Sequence, residues 1–382
     1  MRHAFDGGAM LDFTFSLYLG LRHPHCVLEP WESLTTGAPA TLVEPPVSRV
    51  VAQAAAKLQG CERGLLSPST LYLFWDLFSL LGRESVAIYL DAGTYPIVRW
   101  GAERAAGRGV AVREFPHHNA VALDWLLRHH ARAGVVSLIV TDGFCPACGR
   151  AAPIREYLAC ARAFGGLLII DDTQALGILG HSQGPAAPYG KGGGGVLRWS
   201  GVSGSEIVVV SSLTKGFGAP LAVISGSSAL IGRFEAASET RVHCSPPSAA
   251  SVHAAHRALT VNDQMGDTLR YRLAGLVSRF RHLLGQQGVS LSGGLFPMQT
   301  LPPLPGLDAA TLHQQLLREG IKTVLHRRRG GNLPLVSFII TASHTENDIE
   351  KAAETLAYLW GRNASGPSLE RMSRQKEVRQ WF

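Results

Sequence analysis

The amino-acid sequence predicts an α/β fold: a large domain with a mostly parallel β-sheet covered by helices, and a smaller α+β C-terminal domain. Two observations support this prediction. Short, mainly apolar runs at 135–141, 166–170 and 206–211 alternate with segments of helical spacing, and none of these runs alternates between apolar and polar residues. Strands of this kind are typical of a parallel sheet with both faces covered. From about residue 250 onward the pattern changes to a long helical stretch, short strands and a final helix, which indicates a second domain.

The large domain follows an N-terminal arm at 1–45, which contains Tyr18-Leu-Gly-Leu21, His23-Pro24 and several further prolines. The elements predicted after it are a buried helix at 69–81, strands at 85–90 and 110–115, a helix at 123–133, and strands at 135–141, 166–170 and 206–211. The predicted domain limits are 46–247 for the large domain and 248–361 for the small one, with helices at 248–284 and 346–360. The basic tail, 362–382, is expected to be partly disordered.

Composition narrows the functional classes. Hydrophobic residues make up 46% and charged residues 17% of the 382-residue chain, as in globular proteins. No uninterrupted apolar run of about 18 residues and no signal-peptide layout occur, so we expect no membrane association and a cytoplasmic location. The net charge is +7, concentrated in His326-Arg-Arg-Arg329 and the tail. Because no recognisable nucleic-acid module surrounds these charges, we expect no nucleic-acid partner, and a solvated face or a site for anionic substrate groups instead.

Six cysteines are present, and Cys145-Pro-Ala-Cys148 has the spacing of half a zinc site or of a redox dithiol. A structural zinc needs two further ligands, and no second close pair of cysteines exists. A redox dithiol would open a helix of a small thioredoxin-like unit, which this chain is not. We therefore expect ordinary loop thiols and no metal site.

Two predicted strand ends carry the residues that suggest chemistry. Asp171 follows four apolar residues, and Lys215 follows the apolar run 206–211 among hydroxyls and glycines. In an open parallel sheet, ligands bind outside the carboxyl ends of the strands. Taken singly, each residue also fits a plain ion pair at the sheet edge. Together they match what pyridoxal 5′-phosphate (PLP) requires, namely a lysine that forms a Schiff base and an acid on the pyridine nitrogen.

At these residues the sequence resembles the fold-type I PLP-dependent enzymes of aminotransferase class I/II, and among them the α-oxoamine synthases, such as 8-amino-7-oxononanoate synthase. Asp171-Asp-Thr-Gln-Ala-Leu-Gly-Ile-Leu-Gly180 is similar to the family's D-D-A-H-G-x-G-x-x-G, and Ser212-Leu-Thr-Lys215-Gly-Phe-Gly218 to T-[FL]-[GS]-K-[AG]-F-G. Thr141-Asp-Gly143 is similar to the family's T-E-G stretch. The resemblance runs from Tyr18 to about Leu359.

The resemblance implies roles for residues at matching positions. Lys215 would form the Schiff base and Asp171 would hold the pyridine nitrogen, which makes the ring an electron sink. Ser69, Thr70 and Leu71 fall where the family's phosphate loop opens a helix, and Ser212 falls on a hydroxyl that contacts the phosphate. Ser245, in Ser245-Pro-Pro247, matches a segment that reaches the phosphate from the neighbouring subunit, which implies a homodimer with shared active sites.

Several positions depart from the family pattern. Tyr95 stands where the family has a histidine that stacks on the cofactor, and its ring still offers a flat face. Gln174 replaces a second histidine; its amide can hydrogen-bond the cofactor's phenolic oxygen but cannot titrate near neutral pH. Ser16 replaces an asparagine. Ser337 replaces the arginine that grips the substrate carboxylate, with Arg327–Arg329 as the alternative source of a guanidinium. These changes predict retained cofactor machinery and an altered substrate pocket.

Four functions fit this pattern. The first is an acyltransferase that joins an acyl thioester to an amine or amino-acid substrate. The second is an aminotransferase on a non-standard amine or carbonyl substrate, in which Lys215 moves the proton. The third is another PLP reaction of specialised metabolism, such as a cyclisation, decarboxylation or elimination. The fourth is a non-catalytic PLP-binding protein, against which the intact Asp171–Lys215 pair argues.

Overall fold

The computed structural model describes residues 2–5, 8–303, 308–327 and 333–364. Most of the predicted basic tail, and Arg328 and Arg329, lie outside these residues. The chain divides into two compact units: Leu17–Arg272 forms the larger one, and Met1–Ser16 together with Leu273–Phe382 forms the smaller one. The predicted limits of 46–247 and 248–361 stay a proposal. This division instead places the first sixteen residues in the smaller unit and the boundary within a long helix.

The strands are β1 Arg2–Phe5, β2 Gly8–Asp12, β3 Arg63–Ser67, β4 Val86–Asp91, β5 Ala111–Phe115, β6 Val136–Asp142, β7 Phe144–Cys145, β8 Arg150–Ala151, β9 Leu167–Asp171, β10 Ile207–Ser212, β11 Ala222–Gly226, β12 Met298–Thr300, β13 Ile321–Lys322, β14 Val324–Arg327 and β15 Pro334–Ile339. The α-helices are α1 Pro46–Gln59, α2 Thr70–Leu81, α3 Pro96–Ala106, α4 Ala120–His130, α5 Ile154–Ala163, α6 Val196–Ser200, α7 Ser228–Ala237, α8 Glu239–His243, α9 Ala249–Gln286, α10 Ala309–Arg318 and α11 Glu346–Ala364.

The larger unit contains a seven-stranded sheet in the order β3-β11-β10-β9-β6-β4-β5. Strands β10, β9, β6, β4 and β5 pair in parallel, whereas β11 is antiparallel to both of its neighbours. The segment between β10 and β11, residues 213–221, is too short for the crossover that a parallel pair requires. A mostly parallel sheet covered by helices confirms the predicted fold class.

Helices cover both faces of this sheet, as the alternation of side chains along its strands shows. Leu65 and Ile224 belong to a buried cluster with α2, α3 and α7, whereas Leu66 and Val223 belong to a second cluster with α1 and the start of α9. Successive side chains of a strand point to opposite faces, so neighbours in sequence enter different layers. The central strands are buried on both sides, which explains why their sequences are apolar without alternation.

The smaller unit is built from both ends of the chain. Strand β2 pairs with β1 and with β13, and β15 pairs with β12 and β14. Phe13, which follows β2, is fully buried, and its ring stacks on His344 with centroids 4.4 Å apart. Within the described ranges, no helix combines the length and the apolar character needed to cross a membrane.

Candidate active site

Polar side chains end five strands along one edge of the seven-stranded sheet. Asp91 ends β4, Asp142 ends β6, Asp171 ends β9, Ser212 ends β10 and Ser67 ends β3. Asp142 lies opposite Asp171 in the β6–β9 register, and Ala222 at the start of β11 pairs with both Ser212 and Ser67. The sheet therefore gathers these groups at the carboxyl ends of its parallel strands, where open α/β sheets bind ligands.

Lys215 lies in the tight turn between β10 and β11. The Leu213 N–H donates to the Leu221 carbonyl at 2.9 Å, and the N–H groups of Phe217 and Ala219 each donate to the Leu213 carbonyl at 3.2 Å. The Lys215 side chain is partly buried. Burial lowers the pKa of its amine, while the nearby charges of Asp171 and Asp142 act in the opposite direction.

Two glycines bring the Lys215 turn against the loop that follows β9. A Cβ added at Gly216 would overlap the Leu176 carbonyl oxygen and lie 3.1 Å from the Cα of Gly177. Gly177 itself has a φ of 85°, a conformation that favours glycine. Backbone-to-backbone contact between these segments, which needs a glycine at 216, fixes where Lys215 stands relative to Asp171.

Asp171 is buried, with 7% of its surface exposed. Its Oδ1 accepts a hydrogen bond from the Thr173 N–H at 3.0 Å, and the Thr173 hydroxyl accepts one from the Ser212 N–H at 3.0 Å. Burial raises the pKa of Asp171, and the Thr173 hydrogen bonds and the Lys215 charge counteract that effect. Thr173 thus connects the end of β9, which carries the Asp171 carboxylate, to the end of β10, which Lys215 follows.

Asp142 is a member of this group that sequence reasoning missed. The predicted strand ended at residue 141, whereas β6 includes Asp142, directly opposite Asp171. Both of its carboxylate oxygens accept the Tyr95 N–H at 3.1 Å. Burial, and after it the charge of Asp171, raises the pKa of Asp142 well above its ordinary value. The similarity of Thr141-Asp-Gly143 to the family's T-E-G stretch was the signal that could have identified it.

Tyr95 and Gln174 are two predicted cofactor-contacting residues that are close to Asp142 or Asp171, through hydrogen bonding or along the chain. Tyr95 precedes α3, and 54% of its surface is exposed, so a face of the ring is accessible beside Asp142. Gln174 is partly buried, and its Oε1 accepts a hydrogen bond from the Tyr18 hydroxyl at 2.7 Å. That bond assigns the carbonyl end of the amide to Tyr18 and leaves Nε2 as the donor of Gln174.

The candidate phosphate-binding residues lie at the start of α2, after β3. Ser69 is the N-cap residue, and its hydroxyl accepts the Leu71 N–H at 3.0 Å; Thr70 is the first helical residue. Ser212 donates its hydroxyl hydrogen to Thr214 Oγ1 at 2.9 Å. Ser67 and Ser212 share Ala222 as their register partner, so the start of α2 and the Lys215 turn open at the same edge. A helix N-terminus beside hydroxyl groups suits an anion.

Three other predicted positions, Ser245, Ser337 and Arg327, each have their own immediate surroundings. Ser245 follows α8 and is exposed, with no hydrogen bond to any other residue that the structure describes. Ser337 is fully buried in β15 of the smaller unit, where its hydroxyl lies 2.7 Å from Thr300 Oγ1 and 2.8 Å from His326 Nε2. Arg327 is exposed at the end of β14.

Comparison with known proteins agrees with this architecture. The chain is 29% identical to the 8-amino-7-oxononanoate synthase of Thioalkalivibrio sulfidiphilus over 253 residues, which are 65% of this chain and 61% of that protein. It is 28% identical to the enzyme of the same name from Geobacter sulfurreducens over 355 residues, 89% of this chain and 86% of that protein. Its fold is similar to that of a serine palmitoyltransferase from S. paucimobilis with a bound PLP–myriocin aldimine: the TM-score is 0.80 at 19% identity, covering 92% of this chain and 88% of that one. The model of the family "Aminotransferase class I and II" matches residues 51–356, and the chain belongs to this family.

Proposed function

We propose that this chain is a PLP-dependent acyltransferase of the α-oxoamine synthase type, which joins an acyl thioester to an amine or amino-acid substrate. The observation that carries the proposal is the placement of Lys215 beside Asp171 and Asp142 at the carboxyl edge of the sheet. The similarity to two 8-amino-7-oxononanoate synthases, over 89% of this chain for one and 65% for the other, supports the acyl-transfer chemistry over other reactions of the family.

The residues at this edge suit both the phosphate and the pyridine ring of PLP. The start of α2 at Ser69, Thr70 and Leu71, together with Ser212, would hold the phosphate dianion. The exposed ring of Tyr95 would cover one face of the pyridine. When bound, PLP supplies a conjugated ring that accepts the electron pair left on the substrate carbon next to nitrogen.

Each of the remaining side chains has a task that follows from its surroundings. The Asp171 carboxylate would keep a proton on the ring nitrogen, because a buried anion favours a cation beside it. Gln174 Nε2 would donate to the phenolic oxygen while Tyr18 holds the other end of the amide. Lys215 Nζ, with its lowered pKa, would attach the cofactor and then carry a proton to and from the substrate carbon.

The test combines covalent labelling with turnover. After borohydride reduction of the PLP-loaded protein, we expect the label on the peptide that contains Lys215, and in Lys215→Ala we expect no label. Thiol release from acyl thioesters in the presence of amino acids should fall about 10²- to 10⁴-fold in that variant, the range for loss of a general acid–base group. Lys191→Ala, at an exposed lysine, should match the wild type. A label on another lysine, or equal turnover in Lys215→Ala, contradicts the proposal.

A second candidate, an aminotransferase on an amine without a carboxylate, is favoured by Ser337. An arginine at this position would give a charge-assisted pair worth about 1.5–3 kcal/mol, which the buried Ser337–Thr300–His326 contacts do not replace. Conversion of bound PLP to its amine form by an amino donor alone, without thiol release from any thioester, would decide for this candidate.

The proposed assembly is a homodimer, in which exposed Ser245 of one chain approaches the phosphate of the other. Light scattering gives the mass in solution. A monomer that retains full turnover would contradict the shared site.

A further inference from the structure

A cluster of sulfur and imidazole side chains lies beyond Asp91, next to the candidate active site. One ligand atom each from His117, Cys145 and Cys148 lies within 4.8 Å of the others. The Sγ of Cys148 is 3.6 Å from His117 Nε2 and 3.9 Å from His118 Nδ1. In a tetrahedral zinc site with Zn–S of about 2.3 Å and Zn–N of about 2.0 Å, sulfur and nitrogen ligands are about 3.5 Å apart. His117, Cys145 and Cys148 therefore have close to the spacing of zinc ligands, and His118 Nδ1, 3.9 Å from the Cys148 sulfur, is the candidate for the fourth.

The two cysteines are presented by a tight hairpin turn. They lie in the β7–β8 hairpin, where the Gly149 N–H donates to the Cys145 carbonyl at 2.9 Å and Gly149 has a φ of 68°. The Cys148 thiol donates to the Cys145 carbonyl oxygen at 3.7 Å, so the turn folds Cys148 back toward Cys145. The turn therefore brings both sulfurs within 4.8 Å of each other and of a His117 nitrogen, and cysteine binds a metal as its thiolate.

A buried carboxylate orients the first histidine. Asp91 is 1% exposed, and its Oδ1 is 2.7 Å from His117 Nδ1, while its Oδ2 accepts the His118 N–H at 3.0 Å. This bond fixes the tautomer that leaves His117 Nε2 free to bind on the side of Cys148. A Cβ at Gly93 would overlap the His117 ring, so the glycine provides the space that the ring occupies. Metal-binding histidines usually have such a carboxylate on their other nitrogen.

We propose that Cys145, Cys148, His117 and His118 bind a structural Zn²⁺. Two thiolates and two imidazoles are a ligand set that zinc prefers, and four protein ligands leave no open position for a reaction. The two histidines are the two further ligands that a structural zinc needs beside Cys145 and Cys148. They are distant from the hairpin in sequence, and the fold brings them next to it. A simple redox dithiol does not account for the imidazole nitrogens beside Cys148 or for the carboxylate behind His117.

The site would connect three neighbouring parts of the sheet edge. Asp91 ends β4, the two histidines follow β5, and the hairpin follows β6. The loop from Asp91 leads directly to Tyr95, whose N–H binds Asp142. Bound zinc would thus hold the loop that carries the candidate stacking residue. The metal itself takes no part in the proposed acyl transfer, so the two proposals can fail separately.

Metal content of the reduced full-length protein tests the site. We expect about one zinc per chain by elemental analysis, and binding of Co²⁺ to the chelator-treated protein with the charge-transfer absorption of thiolate ligands. Cys148→Ser and His117→Ala should lose the metal, whereas Cys26→Ser, at an exposed cysteine, should keep it. Asp91→Asn should weaken zinc binding about 10- to 100-fold.

Wild-type protein provides the measurement that does not depend on how the variants fold. Chelation should lower the melting temperature, and one equivalent of zinc should restore it. The proposal is overturned if reduced wild-type protein binds neither Zn²⁺ nor Co²⁺, if Cys148→Ser keeps its zinc, or if the purified protein contains a Cys145–Cys148 disulfide and no metal.

Discussion

At the scale of single residues, the protonation of Lys215 is set by two opposing influences. Burial disfavours its ammonium form, while Asp171 and Asp142 favour it. Only the neutral amine attacks an aldehyde, so the rate of PLP attachment to the cofactor-free protein should rise with pH. Because burial wins, we expect the midpoint of that rise below the ordinary lysine pKa of about 10.4.

Asp171→Asn tests whether the charge of Asp171 raises the pKa of Lys215. The substitution removes a negative charge that raises the pKa of Lys215, so the midpoint of PLP attachment should move to lower pH. Turnover should nevertheless fall about 10- to 100-fold, as expected for loss of a charge-assisted hydrogen bond of about 1.5–3 kcal/mol. The measurements are attachment rates across pH by absorbance and steady-state turnover.

Asp172→Asn is the matched control. The charges that raise the pKa of Lys215 are those of Asp171 and Asp142, and Asp172 is not among them, so this substitution removes no charge that acts on the lysine. The Asp172 Oδ2 accepts the Val196 N–H, which an amide oxygen can also accept. The midpoint should therefore stay that of the wild type. A midpoint that moves to higher pH in Asp171→Asn would mean that Asp171 is not the neighbour that governs Lys215.

Single residues also show what the sequence can and cannot predict. Lys215 and Asp171 each stand after an apolar run, which local pattern and family resemblance both identify. Asp142 required the end of β6 to be placed to within one residue, because its role depends on lying opposite Asp171. His117 and Cys148 are far apart in sequence and meet only because β5 and β6 both flank β4. No local pattern carries that information.

At the scale of elements, Gly216 in the Lys215 turn is a position where the packing leaves no room for a side chain. Gly216→Ala would place a Cβ against the Leu176 carbonyl, and backbone atoms cannot rotate away as a flexible side chain can. We expect a loss of about 1–3 kcal/mol of unfolding free energy and weaker PLP binding, since Lys215 must shift with the turn. Denaturant unfolding and titration with PLP measure the two effects.

Gly275→Ala provides the same chemical change in the opposite context. Gly275 is exposed within α9, and an added Cβ there meets nothing within 4 Å. Alanine favours the helix over glycine by about 1 kcal/mol, so this variant should be more stable and bind PLP normally. If both variants change stability alike, close packing at Gly216 is not the cause.

The elements of the larger unit were predictable where they were apolar and uninterrupted. Strands predicted at 85–90, 135–141, 166–170 and 206–211 each lie within one residue of the observed strands β4, β6, β9 and β10. Strands β3 and β11 were not predicted. They are the two strands at the β3 side of the sheet, and β11 runs against the others, so neither fits an alternating pattern of parallel strands and helices.

At the scale of the whole molecule, the smaller unit depends on residues from the two ends of the chain. The Phe13 N–H donates to the Lys322 carbonyl and its carbonyl accepts the Ile339 N–H, both at 2.9 Å, so one residue bridges β13 and β15. Its fully buried ring contacts Phe338 edge-on, with centroids 5.4 Å apart. The predicted arm at 1–45 includes this segment, and no local sequence pattern shows that its partners lie about three hundred residues later.

Phe13→Ala should therefore destabilise the smaller unit through contacts that are remote in sequence. Deleting a buried phenylalanine ring costs about 3–5 kcal/mol, and the loss should appear as faster amide exchange in β13 and β15, measured by hydrogen–deuterium exchange. Phe15→Ala, two residues later at a ring that is 37% exposed, should change exchange much less. Equal effects of the two substitutions would mean that the segment acts as a loosely attached arm. Protection lost only in Phe13→Ala would show that Phe13 is a structural part of the smaller unit.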